Sequence, residues 1–117
     1  MANVQDLLAR LHTEEPSDEL RRAIIDLIAE SLTEARDNLG YWEKAHFAEA
    51  IACVQANVAG GPQPRRAWLT LALVSLEKAA VPPAERDETY TTRMPAVDEL
   101  RFEDLAAVLR RLGVNIH

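Results

Sequence analysis

The fold of this chain is decided by the stretch Ala67-Trp68-Leu69-Thr70-Leu71-Ala72-Leu73-Val74-Ser75-Leu76. On a helix, at about 100° per residue, its apolar side chains point in nearly every direction. Only Arg66, Thr70 and Glu77 form a narrow polar strip. A helix that is apolar on nearly every side is expected to be buried on nearly every side. The stretch therefore predicts a central helix over residues 65–80, around which the other helices pack.

Helical periods also occur on both sides of this stretch. A short one follows Asn3 and a second runs from Ser17 to about residue 38, and we predict that Asn3 and Ser17 cap these two helices. A third runs from Tyr41 to about residue 59. The last one begins near Phe102 and ends at Gly113, where Val114 can complete a Schellman motif. Each has an apolar stripe at helical spacing, and no segment alternates convincingly like a strand. We predict one all-α domain over residues 1–117, a small bundle of four main helices plus a short N-terminal helix.

The composition is that of a globular protein that needs no disulfide or metal to fold. The chain has 117 residues, 48% of them hydrophobic, and its single cysteine is Cys53. A lone cysteine excludes an intrachain disulfide and is typical of a reducing compartment. Residues 1–15 lack the apolar core of a secretory signal, and the longest apolar run is about half of a membrane span. We expect a cytoplasmic protein that does not enter a membrane.

The charge of the chain is negative and unevenly distributed. The formal net charge is −6, and residues 1–60 carry 11 acidic and 5 basic side chains. An acidic chain is poorly suited to binding a phosphate backbone. The segment from Asp104 to Asn115 resembles the first helix and turn of a helix-turn-helix, but a recognition helix would have to follow it. A nucleic-acid-binding regulator is therefore disfavoured, and a basic protein partner fits the charge better.

Two charged features are candidate partner-binding surfaces. The outer face of the second helix carries four acids in line: Glu19, Asp26, Glu30 and Asp37. Like charges at this spacing lower helix stability slightly, so the line is either a solvated face or a docking stripe for a basic partner. Arg65 and Arg66 begin the central helix, where the helix dipole disfavours cations. They are either ordinary solvated residues or further partner contacts.

Residues 81–97 form a third candidate surface, because they have no clear period. Connections of this length without regular structure are usually functional or disordered. The segment contains side chains of the types favoured at interface cores: Tyr90, Arg93 and Met94. Prolines at both ends restrict its freedom, which lowers the entropy lost on binding. A disordered connector is the alternative interpretation.

No catalytic, cofactor or metal motif is complete. Glu43 and His46 have the spacing used in carboxylate-bridged di-iron bundles, but a second such pair is missing. Trp42, His46 and Cys53 share one face of the third helix, and cysteine and histidine can serve as nucleophile and base. Side chains on one helix face point outward in parallel, however, rather than toward a common atom. We expect no metal, no cofactor and no catalytic residue.

These observations favour a small acidic interaction protein without enzymatic activity, such as a regulator, an inhibitor, an immunity protein or a chaperone-like adaptor. The alternative is a small helical enzyme or ligand-binding protein that uses the face of Trp42, His46 and Cys53. We also predict a homodimer, because the other helices barely suffice to cover the central helix. A seam of small residues on the third helix would allow close helix packing: Ala45, Ala48, Ala52, Ala56 and Ala59.

Overall fold

The structure is all-helical in the residues that the computed structural model describes, which are 3–56, 62–87 and 93–116. They form six α-helices, which are α1 Val4–Thr13, α2 Asp18–Glu34, α3 Tyr41–Ala56, α4 Pro62–Ala79, α5 Pro95–Asp98 and α6 Phe102–Arg111. Two short 3-10 helices, Arg36–Asn38 and Pro83–Glu85, lie between them. The described residues contain no strand. The predicted all-α bundle is therefore confirmed, with α4 as its long central helix.

Side-chain caps set the start of the first two helices. The Asn3 side chain accepts a hydrogen bond from the Asp6 backbone N–H at 2.9 Å. The Ser17 hydroxyl likewise accepts one from the Leu20 backbone N–H at 3.1 Å. The first N–H groups of a helix have no partner inside it, so these oxygens satisfy them. Both predicted caps are confirmed.

Gly113 ends α6 with the predicted Schellman motif. Its φ is +98°, and the N–H groups of Gly113 and Val114 donate to the carbonyls of Arg110 at 2.9 Å and Leu109 at 3.2 Å. A Cβ at this position would lie 2.8 Å from Nη1 of Arg22. The turn therefore needs glycine for its backbone conformation, whereas the end of the flexible Arg22 side chain could shift.

The centre of the core is α4, as predicted. It packs against α3 as an antiparallel hairpin and also contacts α1 and α2. Leu69 and Leu73 are completely buried, and Leu76 is nearly so. The other helices contribute large apolar side chains around them: Leu7, Leu11, Ile24, Ile28, Phe47, Val54, Leu105 and Leu109.

One side of α4 is exposed, so the prediction of burial on nearly every side is wrong. Trp68 is 40% exposed and Leu71 is 47% exposed, and Ala67 beside them is exposed as well. The helices that pack on α4 cover its other sides and leave this sector open. We call these three residues the α4 strip.

The second helix ends earlier than predicted. The α-helical part of α2 stops at Glu34, and residues Arg36–Asn38 continue as a 3-10 helix. A 3-10 helix turns by a different angle per residue than an α-helix. Asp37 therefore does not continue the line of acids that the sequence placed along this helix.

The predicted alanine seam on α3 is not a buried seam. Ala52 and Ala56 are exposed, and Ala48 is only half-buried, whereas Ala50 is completely buried. The bulky apolar side chains of α3 face the core instead, because they bury more apolar area than alanines do. Ala59, the last residue of that seam, lies outside the described residues.

The segment predicted to be irregular contains two short helical pieces. Residues Pro83–Glu85 form a 3-10 helix, and Pro95–Asp98 form α5. The Met94 backbone N–H donates to the Tyr41 hydroxyl at 2.8 Å, and the Lys44 ammonium donates to the Asp98 carbonyl at 3.1 Å. These bonds hold the end of the segment against the start of α3.

Candidate functional site

An aromatic cleft of about 440 Å³ lies where α3 begins and α4 ends. The rings of Trp42 and His46 meet edge to face, with centroids 4.5 Å apart. The Trp42 indole N–H donates to the Lys78 carbonyl at 2.6 Å, which ties α3 to the last turn of α4. The cleft is lined by Tyr41, Trp42, Ala45, His46, Lys78, Val81, Glu85 and Asp87.

Cys53 is separated from this cleft. The thiol is buried, and this burial, together with the charge of Glu49, raises its pKa. Burial lowers the pKa of His46, whose Nδ1 lies 3.8 Å from a Glu49 oxygen, too far for a hydrogen bond. His46 and Cys53 are two helical turns apart, about 10 Å along the axis, whereas a nucleophile and its base need about 3 Å. The structure joins Trp42 to His46 but leaves Cys53 out.

A largely buried ion pair joins α3 to the segment after α4. Nη2 of Arg86 lies 3.3 Å from Oε2 of Glu43, and their side chains are only 14% and 11% exposed. Nε of Arg86 donates to the Val81 carbonyl at 2.8 Å, and its guanidinium lies 5.4 Å from the centroid of the Trp42 ring. The sequence analysis missed this pair, because the two residues are far apart in the chain and follow no motif.

Glu43 and His46, which have the spacing of a di-iron ligand pair, each contact another side chain in the structure. The Glu43 carboxylate is paired with Arg86, and the His46 ring packs on Trp42. Within the described residues, no group of three or more histidine, cysteine or acidic side chains is arranged to hold a metal ion.

Arg93 and Met94 lie at the start of α5 and contact the aromatic residue at the start of α3. The Arg93 guanidinium is 4.9 Å from the centroid of the Tyr41 ring and 3.2 Å from an Asp98 oxygen. Met94 is 58% exposed. Tyr90, the third residue proposed for this surface, lies outside the described residues.

Arg65 and Arg66 are half-buried and are used within the chain. Arg65 forms an ion pair with Asp18, and this hydrogen bond lowers the pKa of the Asp18 carboxyl. Arg66 donates to the Glu14 carbonyl at 3.1 Å. The two arginines thus tie the start of α4 to the connection between α1 and α2, and a partner contact at these positions remains a prediction.

The acids of α2 divide into paired and unpaired side chains. Glu19 lies 3.4 Å from Arg10, and Asp26 lies 3.1 Å from Arg22. Glu30 has no cationic partner in the described part of the chain, and neither does Glu34, which the sequence analysis did not select. The spacing of four residues already placed Glu34 in line with Glu30. Asp26, Glu30 and Glu34 form what we call the acidic ridge, while Glu19 and Asp37 lie outside it.

A shallow cleft of about 330 Å³ runs beside the acidic ridge, and we call it the tail cleft. The Arg22 guanidinium on α2 donates to the carbonyls of Leu112 at 3.2 Å and Gly113 at 2.8 Å. The chain after α6 is thereby held against α2. The tail cleft is lined by the acidic ridge together with Ala29, Thr33, Val114, Asn115 and Ile116.

A deeper cleft of about 460 Å³ lies where α2 and α4 end and α3 begins, and we call it the junction cleft. Its floor includes the buried side chains of Phe47, Leu76 and Ala79. Its polar residues are Ser31, Asn38, Arg86 and three glutamates: Glu34, Glu43 and Glu77.

Comparison with protein-family models, with curated proteins and with solved structures finds no match to this chain. None of the helices in the described segments has the length and hydropathy to cross a lipid bilayer.

Proposed function

We propose that this protein is a non-enzymatic interaction protein, such as a regulator, an inhibitor, an immunity protein or a chaperone-like adaptor, that binds a basic segment of a partner protein along the acidic ridge. One observation carries the proposal: Glu30 and Glu34, without cationic partners among the described residues, stand beside a cleft with an apolar wall. A cytoplasmic location belongs to the same proposal and is supported by the free thiol of Cys53.

The acidic ridge is an unfavourable arrangement for the isolated helix. Each pair of like charges four residues apart lowers the stability of a helix by about 0.2–0.5 kcal/mol. Glu34 also lies at the C-terminus of α2, where the dipole favours cations, and the last turn of α2 has no basic residue. Local rules of this kind are broken at functional sites, where the rest of the fold compensates for the cost. A basic segment would relieve the repulsion along the ridge.

The partner segment should be basic and partly apolar. Lysine or arginine would pair with the carboxylates of Glu30 and Glu34. Apolar side chains would pack on the other wall of the tail cleft, against Val114 and Ile116. Such a segment matches both the charge and the shape of this surface.

We expect the double variant Glu30→Gln, Glu34→Gln to bind a basic amphipathic peptide at least about tenfold more weakly than the unmodified protein. The probe is a synthetic helical peptide of lysine and leucine, and titration calorimetry at low salt measures its Kd. Binding should weaken further as salt is added, because exposed charges are screened.

A matched control separates the ridge from general attraction between opposite charges. The double variant Glu14→Gln, Glu103→Gln removes the same two charges from acids that are paired with Arg10 and Arg110. We expect its Kd to stay within about twofold of the original. Equal weakening in both double variants would contradict the proposal.

We further propose that a second copy of this chain covers the α4 strip. The strip carries no charge, so a basic partner has nothing to pair with there. In a two-fold dimer the same patch meets itself, and an uncharged apolar patch can do so without repulsion. The small side chain of Ala67 and the exposed Ala52 of α3 would permit close approach of the two hairpins.

Light scattering at micromolar concentration should therefore give about twice the 13.0 kDa mass of one chain. The variant Leu71→Asp should give a folded monomer, because it places two like charges near the two-fold axis. A mass of one chain for the unmodified protein would refute the dimer.

A further inference from the structure

Four charged side chains line the junction cleft, one arginine and three glutamates. Arg86 is paired with Glu43. Glu34 is exposed and has no cationic partner among the described residues, and the Glu77 carboxylate accepts a hydrogen bond from the neutral side chain of Gln5 at 2.6 Å. Two negative charges at the rim of the cleft therefore lack a cation within residues 3–56, 62–87 and 93–116.

Four helix ends meet at this cleft. The α-helices α2 and α4 both end at the cleft, which is lined by Ala35 after the first and by Ala79 and Ala80 at the end of the second. The C-terminus of a helix carries about half a negative charge, because its last carbonyls have no partner inside the helix. Two helices also begin here, α1 at Val4 and α3 near Glu43, so positive helix ends face the negative ones. The negative charge of the cleft therefore comes from the side chains of Glu34 and Glu77.

The floor of the cleft has the opposite character. Phe47, Leu76 and Ala79 are buried apolar side chains that reach its base. A volume of about 460 Å³ is within the range of small-molecule sites, which are mostly apolar with a few placed polar groups. An occupant must therefore combine an apolar body with a positive charge near the rim.

We infer that the junction cleft binds an alkylammonium group, with its alkyl chain on the floor formed by Phe47, Leu76 and Ala79 and its charged nitrogen between Glu34 and Glu77. This chemistry is shared by free aliphatic amines and by the lysine side chain of a protein. The inference goes beyond the proposed function. The two share Glu34, but Glu77 lines only the junction cleft and Glu30 only the tail cleft, so each can fail without the other.

Hexylammonium is the probe, with 1-hexanol and hexanoate as controls of the same chain length. Chemical-shift titration of nitrogen-15 labelled protein at neutral pH should give a Kd on the order of 1 mM for hexylammonium. The shifts should map to the amides of Ala35, Phe47 and Ala80. The alcohol and the carboxylate should bind at least about tenfold more weakly, since neither carries the cation.

Three variants test the site. Glu34→Gln with Glu77→Gln should weaken hexylammonium binding at least about tenfold. Ala80→Leu, which keeps the charges and fills an exposed part of the cleft, should weaken it as well. Glu103→Gln, which removes an acid that lines neither cleft, should leave the Kd within about twofold.

A second ligand identifies the source of the alkylammonium group. If Nα-acetyl-lysine methylamide shifts the same amides with the same Kd as hexylammonium, the cleft is assigned to a lysine side chain of a partner. If hexylammonium binds and the lysine derivative does not, the cleft is assigned to a free amine. Equal shifts from hexylammonium and 1-hexanol would overturn the inference, and so would unchanged binding in the Glu34→Gln, Glu77→Gln variant.

Discussion

The substitution Leu73→Asp is expected to unfold the protein. Leu73 is completely buried at the centre of α4. An unpaired charge at such a position costs about 3–5 kcal/mol, and the lost leucine packing adds about 2–5 kcal/mol. A domain of this size has a total stability of about 5–15 kcal/mol. Circular dichroism of the variant at room temperature should show little of the helical signal of the unmodified protein.

The matched control is Leu71→Asp, two residues away on the same helix. Leu71 is 47% exposed, so the new carboxylate can remain in water. We expect the helical signal to persist in this variant. If Leu71→Asp also unfolds the protein, the exposed side of α4 is needed for folding and the division of this helix into two sides is wrong.

The contrast between Leu73 and Leu71 also shows what the sequence could not predict. The apolar pattern of residues 65–80 predicted the length of α4 and its place in the core. Leucine stands on both sides of this helix, however, so the pattern could not predict which side the neighbouring helices cover. That depends on where the neighbouring helices pack. The same holds for α3, in which Ala50 is buried and Ala52 is exposed although both are alanines.

Signals confined to a few neighbouring residues were predicted well. The caps at Asn3 and Ser17 and the turn at Gly113 each depend on hydrogen bonds within six residues, so their spacing could be read from the sequence. The candidate site was predicted only in part, because its acids follow helical spacing along α2. The junction cleft was missed, because it is formed where the ends of separate helices meet.

The ion pair of Glu43 and Arg86 is the long-range contact with the largest expected effect. We expect Arg86→Met to lower the free energy of unfolding by about 3 kcal/mol, measured by urea denaturation. Methionine replaces much of the aliphatic packing but leaves the Glu43 carboxylate largely buried without its cation. The hydrogen bond to Val81 and the cation–π contact with Trp42 are lost at the same time.

Arg93→Met is the matched control, because Arg93 makes the same two kinds of contact at the surface. Its guanidinium lies over the Tyr41 ring and pairs with Asp98. The side chains of Arg93 and Asp98 are 65% and 51% exposed, so Arg93→Met should lower the free energy of unfolding by less than about 1 kcal/mol. Adding Glu43→Gln to Arg86→Met should restore part of the stability, since removing both charges costs less than leaving one buried. If Arg86→Met and Arg93→Met lower the free energy of unfolding equally, burial of the pair of Glu43 and Arg86 contributes nothing to stability. If Arg86→Met with Glu43→Gln is no more stable than Arg86→Met alone, the lost stability comes from the contacts of Arg86 with Val81 and Trp42.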